Sequence, residues 1–335
     1  MKRLLTFLVT VLWVTTLFSG CKEKPTEPVE GGMKIATSTS DFGAYVSSHE
    51  EQIDLLYEAG FRYIDLSFYT KEDNDRFMKD NWQEAAAALK KYAEDKGMSF
   101  VQAHSFGGNA LKDQQTYNQI VEATIREIEV CAIMDIPQIV VHAPYEPHLT
   151  KDEFFEKALA FYKEFFPVME RTGIKVLIEN SAKNNVGCDY YFYTGADMRA
   201  FIEYANNPLL GACWDTGHAN IEGHQYEDIV ALGDLLMGVH IADNRGEKDE
   251  HLMPYQGTMC IDEVMCALVE TGYTGAFTFE CENNLIPGIS WPYARTVYDQ
   301  SQKAYKPSLE IKLEMEKTLY SIGKYILTQY EIPLG

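Results

Sequence analysis

Lys175-Val-Leu-Ile-Glu179-Asn180 is an apolar run that ends in a carboxylate, and Gly173 just ahead of it closes the helical stretch that comes before. A short β-branched run between a helix-ending glycine and another helical stretch is the mark of a βα unit. The same phrase recurs in both directions. Upstream lie Lys34 to Thr39, Tyr63 to Leu66, Ser99 to Ala103 and Gln138 to His142; downstream lie Leu209 to Trp214, Leu236 to Ile241 and Ala276 to Glu280. Gly60, Gly97, Pro137, Pro208 and Gly275 punctuate the approaches. Between the runs, Trp82 to Lys96, Tyr117 to Met134, Lys151 to Thr172 and Ile261 to Thr271 repeat apolar residues at spacings of three and four, which predicts helices, and Ser308 to Tyr330 reads as a closing helix. Eight βα units in alternation are what a closed parallel barrel requires. The expected fold is therefore α/β, a (β/α)₈ TIM barrel, in one catalytic domain over residues 33–335. The chain's 335 residues exceed the roughly 250 of a bare barrel and fit one with insertions.

The first twenty-one residues follow other rules. Met1-Lys2-Arg3 is basic, Leu4 to Phe18 is almost wholly apolar, and Ser19-Gly20-Cys21 is small, which is a secretory signal pattern. The apolar run falls short of the roughly 20 residues a spanning helix needs. Leu17-Phe18-Ser19-Gly20-Cys21 resembles the lipobox of bacterial lipoproteins. That resemblance implies a lipidated Cys21 as first mature residue, a linker over residues 22–32, and an exported protein held on the periplasmic or cell-surface face of a bacterial membrane. Apolar and charged shares of 46% and 24% are those of a soluble globule. The net charge of −21, from 50 acidic and 29 basic residues, disfavours nucleic acid as a partner, because such binders cluster Lys and Arg on phosphates. Cys131, Cys188, Cys213, Cys260, Cys266 and Cys281 form no CxxC pair and are expected as buried thiols.

A parallel barrel carries its chemistry at the carboxyl ends of its strands. Here those ends are His104, His142, Glu179, Asp215, His240 with Asp243 behind it, and Glu280. So many ionisable groups in one mouth would repel and desolvate one another unless a cation neutralised them. Glu179, Asp215, His240 and Glu280 make an oxygen-rich set suited to one divalent cation, Mn²⁺, Mg²⁺ or Co²⁺, and tolerable for Zn²⁺. His49, His148 and His224 read as residues of solvated loops.

Over about residues 34 to 285 the chain resembles the sugar phosphate isomerase/epimerase superfamily, whose fold is a xylose-isomerase-like barrel. The resemblance is carried by Val176-Leu-Ile-Glu179-Asn180, Trp214-Asp-Thr-Gly-His218-Ala-Asn220, His240-Ile-Ala-Asp243-Asn244, Asp249-Glu-His251 followed by Gly257, and Phe279-Glu280. Asp215 to Glu222 is similar to the corresponding segment of the ketose 3-epimerases. The resemblance implies that Glu179, Asp215, His240 and Glu280 bind the metal and that Glu179 and Glu280 also move the proton. A cation chelated by a sugar carbonyl and its neighbouring hydroxyl acidifies the adjacent C–H and stabilises the enediolate, while a carboxylate on each face removes and returns the proton. His104, His142, His218 and His251 are then expected to face sugar hydroxyls. Arg245 sits near the place of a substrate-binding arginine, and Trp214, beside Asp215, is the leading candidate for an apolar wall, with Tyr69, Phe106, Tyr145 and Trp291 as others.

The expected function is a metal-dependent sugar isomerase or epimerase, with a small carbohydrate as substrate. The alternative is a lyase or hydrolase of oxidised (3-keto) glycosides using the same site. The superfamily also contains type IV apurinic endonucleases, whose trinuclear zinc site matches His104, His142, Glu179, Asp215, His218, His240, Asp249, His251 and Glu280, so a phosphodiesterase is a third reading and a non-catalytic sugar-binding lipoprotein a fourth. Acidic charge and export favour one cation and a sugar over a cluster and DNA.

Overall fold

The computed structural model describes residues 32–68, 75–282 and 307–335. Cys21 with its signal segment, residues 22–31 of the linker, Tyr69 and Trp291 lie outside them. Eight strands appear in the expected order: β1 Ile35–Ser38, β2 Tyr63–Ser67, β3 Ser99–His104, β4 Gln138–Val140, β5 Lys175–Glu179, β6 Leu210–Asp215, β7 Leu236–His240 and β8 Phe277–Phe279. Neighbours pair in parallel from β7 through β1 to β8. The ring closes where Ile241 bridges Phe279, with the Ile241 amide donating to Thr278 at 2.8 Å and the Glu280 amide to Ile241 at 3.3 Å. The expected TIM barrel is the observed fold.

Helices clothe the barrel, and their starts are written in the sequence. Ser48, Asp113, Thr194 and Ser308 each accept from a backbone amide of the first helical turn, and Thr150 forms a reciprocal capping box with Glu153. The helix expected over Lys151 to Thr172 is instead two, Lys151–Lys163 and Phe166–Thr172. Pro167 stands at the start of the second, where its missing N–H needs no partner, and it bars a continuous helix across that point. No described helix is long and apolar enough to cross a membrane.

Side chains alternate across each strand, and this decides what reaches the mouth. Val140, Leu177 and Cys213 pack against Met237 inside the ring, separate from the larger core shared by strands and helices. Two residues on from Val140, Leu177 and Cys213 stand His142, Glu179 and Asp215, so the same inward face carries the polar set at the top. Gly238 also faces inward, since an added Cβ would lie 2.5 Å from Gln102 Oε1 and 2.8 Å from Leu177 Cδ1, and His240 follows it by two.

Candidate metal centre

Glu179 ends β5 at the centre of a ring of imidazoles. Its Oε1 lies 2.5 Å from His240 Nδ1, and its Oε2 lies 2.6 Å from His142 Nε2 and 3.5 Å from His104 Nε2. His104 stacks on His240 with ring centroids 5.4 Å apart and meets His142 edge-on at 4.9 Å. Glu280 follows β8 and brings Oε2 to 3.2 Å from the same His240 Nδ1. Asp215 ends β6 and caps the helix Thr216–Glu222, where its Oδ1 accepts from the His218 amide at 2.6 Å. Asn180 fixes that corner: its Oδ1 accepts from the Asp215 amide at 2.6 Å, and its Nδ2 donates to the Asp215 carbonyl at 2.9 Å.

One ligand atom each from Glu179, Asp215, His240 and Glu280 falls within 4.8 Å of all the others. Asp215 Oδ2 is buried and has no hydrogen-bond partner, and Asp249 Oδ1 is in the same state. Unsatisfied carboxylate oxygens inside a protein are costly, and a cation satisfies them. The four residues expected from the sequence thus fit a divalent ion by donor type, convergence and unmet valence.

The electrostatics separate the two glutamates. Burial alone would raise both carboxyl groups, but the imidazoles of His240, His104 and His142 hold Glu179 well below the usual carboxylate range. Glu280 is pushed up to about 7 by burial and by the nearby Glu179 charge, against the pull of His240. Burial works against protonation of His104, yet its contact with Glu179 lifts it to about 9; His142 ends below its ordinary value because burial prevails there. Burial also raises Asp215, with the His218 charge opposing it.

His218 and His251 stand somewhat differently from expectation. Both turn a ring nitrogen to Asp249 Oδ2, at 2.9 and 3.1 Å, so this second trio of His218, Asp249 and His251 also converges within 4.8 Å. His218 Nδ1 donates to the Asn180 carbonyl at 2.9 Å, which holds the ring. The loop after β7 is folded by Asp243, which accepts from the amides of Asn244, Gly257 and Met259 at 2.8, 2.8 and 2.9 Å and so delivers Asp249 and His251 to the mouth.

Four expectations need correction. Trp214 is fully buried on the helix side of β6 and donates its Nε1–H to Gln225 at 3.2 Å; because Asp215 faces the mouth, its neighbour faces away, and Trp214 forms no wall there. Arg245 is largely exposed and paired with Glu250. His49 is buried at the start of the helix His49–Ala59, its Nε2 3.3 Å from the Ser67 carbonyl. Cys131, Cys213 and Cys281 are buried thiols as expected, but Cys260 is exposed.

Asp65 escaped the sequence reading. It lies within β2, and its Oδ2 is 3.2 Å from His240 Nε2 while accepting from Gln102 Nε2 at 2.9 Å. A carboxylate behind a metal-facing imidazole fixes the ring's orientation. The signal available was a charged residue inside an otherwise apolar run.

A family model described as a xylose isomerase-like TIM barrel matches residues 53–307. The chain belongs to the xylose isomerase-like TIM barrel family. Among relatives of this xylose isomerase-like barrel, the uncharacterized protein y4fM of Sinorhizobium fredii is 24% identical over 263 residues, spanning 70% of this chain and 82% of the relative. A probable endonuclease 4 of Sulfurihydrogenibium is 25% identical over 191 residues, spanning 55% of this chain and 66% of the relative. Among solved structures, D-psicose 3-epimerase of Clostridium cellulolyticum H10 with D-tagatose has a TM-score of 0.69 at 15% identity, covering 88% of this chain and 99% of that one. The IOLI protein with a bound zinc atom has a TM-score of 0.68 at 17% identity, covering 89% and 99%. A 3-keto-D-glucoside 4-epimerase of E. coli has a TM-score of 0.62 at 19% identity, covering 86% and 99%. At these identities the structures speak to the fold.

Proposed function

We propose that this chain is an exported, lipid-anchored, metal-dependent sugar isomerase or epimerase that moves a proton on the carbon next to a sugar carbonyl. The observation that carries the proposal is the pair Glu179 and Glu280, which come from different strands, meet at His240 Nδ1, and are driven apart in protonation. Two carboxyl groups pushed in opposite directions are the usual equipment for taking and giving a proton. Glu179, Asp215, His240 and Glu280 would hold the ion. A divalent cation there supplies polarisation of the carbonyl, which acidifies the neighbouring C–H. Glu179, held ionised by its imidazoles, serves as the base on one face of the substrate carbon, and Glu280, poised near neutrality, gives a proton to the other face, with the roles exchanged in the reverse direction. His142, the most accessible of the site histidines, is placed to orient a hydroxyl.

Charge supports a neutral sugar over a phosphorylated one. Of the basic residues close in sequence to the site groups, Arg245 is paired with Glu250 and Lys183 lies over the Tyr193 ring at 4.1 Å. The fold neighbours include enzymes named for ketose 3-epimerisation and for a 3-keto-glucoside, so the second reading, attack on a 3-keto-glycoside, keeps the same residues. The endonuclease relatives and the trio of His218, Asp249 and His251 favour a third, phosphodiester cleavage.

The test is a substrate panel followed by proton NMR, using chain stripped of metal and reloaded with Mn²⁺ or Zn²⁺. Conversion of a free ketose to an isomer or epimer is the expected result. Elimination from a 3-keto-glucoside would select the second reading, and cleavage of abasic DNA with no sugar turnover would reject both.

A further inference from the structure

In a chain with 50 acidic and 29 basic residues, most described lysines and arginines hold a carboxylate. Lys34, Arg62 and Lys324 are among those that do not, and they gather at the end of the barrel opposite the mouth. Lys34 leads into β1 and sets its ammonium 5.0 Å from the Tyr63 ring centroid. Arg62 leads into β2, lies 4.0 Å from the Tyr57 ring centroid, and donates to the carbonyls of Tyr57 and Phe61. Lys324 lies 5.1 Å from the Tyr320 ring centroid, and Tyr320 in turn packs edge-on against Phe61. All three cations are exposed, and Tyr57 is 41% exposed. The three cations and the rings of Tyr57, Tyr63 and Tyr320 form one basal group, and the carboxylates beside Tyr57, Asp54 and Glu58, are held by Lys96 and Lys317.

The chain upstream of the barrel leaves from this same end. Met33 is fastened here, its amide donating to Pro333 at 2.9 Å and its carbonyl accepting from Gly335 at 3.0 Å. The eleven residues from Lys22 to Gly32, fully extended, reach only about 36–40 Å. We infer that this basal surface, centred on Lys34, Arg62 and Lys324, docks on the anionic phosphate headgroups of the membrane that holds the anchor, leaving the sugar site facing away from the bilayer. The inference rests on the proposed acylation of Cys21. Unpaired cations near a membrane surface are drawn to anionic lipid, and tyrosine favours the headgroup layer.

Amine acetylation followed by mass spectrometry tests this on the acylated full chain, in detergent, in phosphatidylcholine vesicles, and in vesicles with about one third phosphatidylglycerol. Lys34 and Lys324 should react at least about threefold more slowly on the anionic vesicles than in detergent or on neutral ones, while Lys112 and Lys183, in the segments that follow β3 and β5 at the mouth, keep their rates. Uniform rates in a chain that floats with the vesicles would overturn the docking alone, as would protection of Lys112 and Lys183 instead. An acylated chain that does not float would overturn the anchor and the docking together.

Discussion

Glu179 touches three imidazoles, whereas Glu280 touches His240 and has His251 only nearby, and that difference gives two identical side chains opposite tendencies in one cavity. Four of the residues that converge on His240 Nδ1 and its surroundings were legible because ending a strand is a property of position along the chain. Asp65 was not, since a run read for its apolar residues hides the charge that points inward. Trp214 was misread for the complementary reason: adjacency to Asp215 was taken as proximity, whereas alternation turns neighbours to opposite sides. Asp65 also supports a prediction. With its Oδ2 at 3.2 Å from His240 Nε2, Asp65 holds the ring whose other nitrogen faces the candidate ion. Asp65→Asn should weaken divalent-metal affinity by about 10- to 100-fold with the fold intact. Co²⁺ titration by visible absorption reads this, and an unchanged affinity would show that His240 needs no such support.

Strands were easier to read than what joins them. A run such as Lys175–Glu179 is bounded by local punctuation, whereas the loop after β7 is shaped by Asp243 gripping amides as far along as Met259, a contact no local pattern announces. The convergence of His218 and His251 on Asp249 was hidden for that reason. The broken helix at Pro167 was local and visible, but the apolar spacing on both sides outweighed it. Gly238 shows how tightly the strands constrain the ring. Its Cβ-free face admits Gln102 Oε1 and Leu177 Cδ1, and Gly238→Ala should destabilise the protein by about 1–3 kcal/mol through overpacking, with β7 and His240 displaced. Urea denaturation measures this, and a variant as stable as the parent would mean that the ring yields more readily than its packing implies.

At the scale of the whole molecule, eight parallel strands gather groups far apart in sequence into one mouth, and the repetition that announced the barrel also announced where its chemistry would lie. The net charge of −21 suits the proposed substrate without phosphate, and the cations at the base are those proposed to meet the membrane. The barrel's dimensions and family follow from pattern; which carbon loses its proton depends on how a sugar sits between Glu179 and Glu280, which pattern does not encode. The most direct measurement is deuterium wash-in from D₂O into the carbon next to the carbonyl of the sugar turned over, followed by proton NMR with metal content matched between variants. Wild-type chain with its divalent ion should exchange that proton, and Glu280→Gln should slow exchange by at least about 100-fold. Wash-in by Glu280→Gln at the wild-type rate would contradict the account.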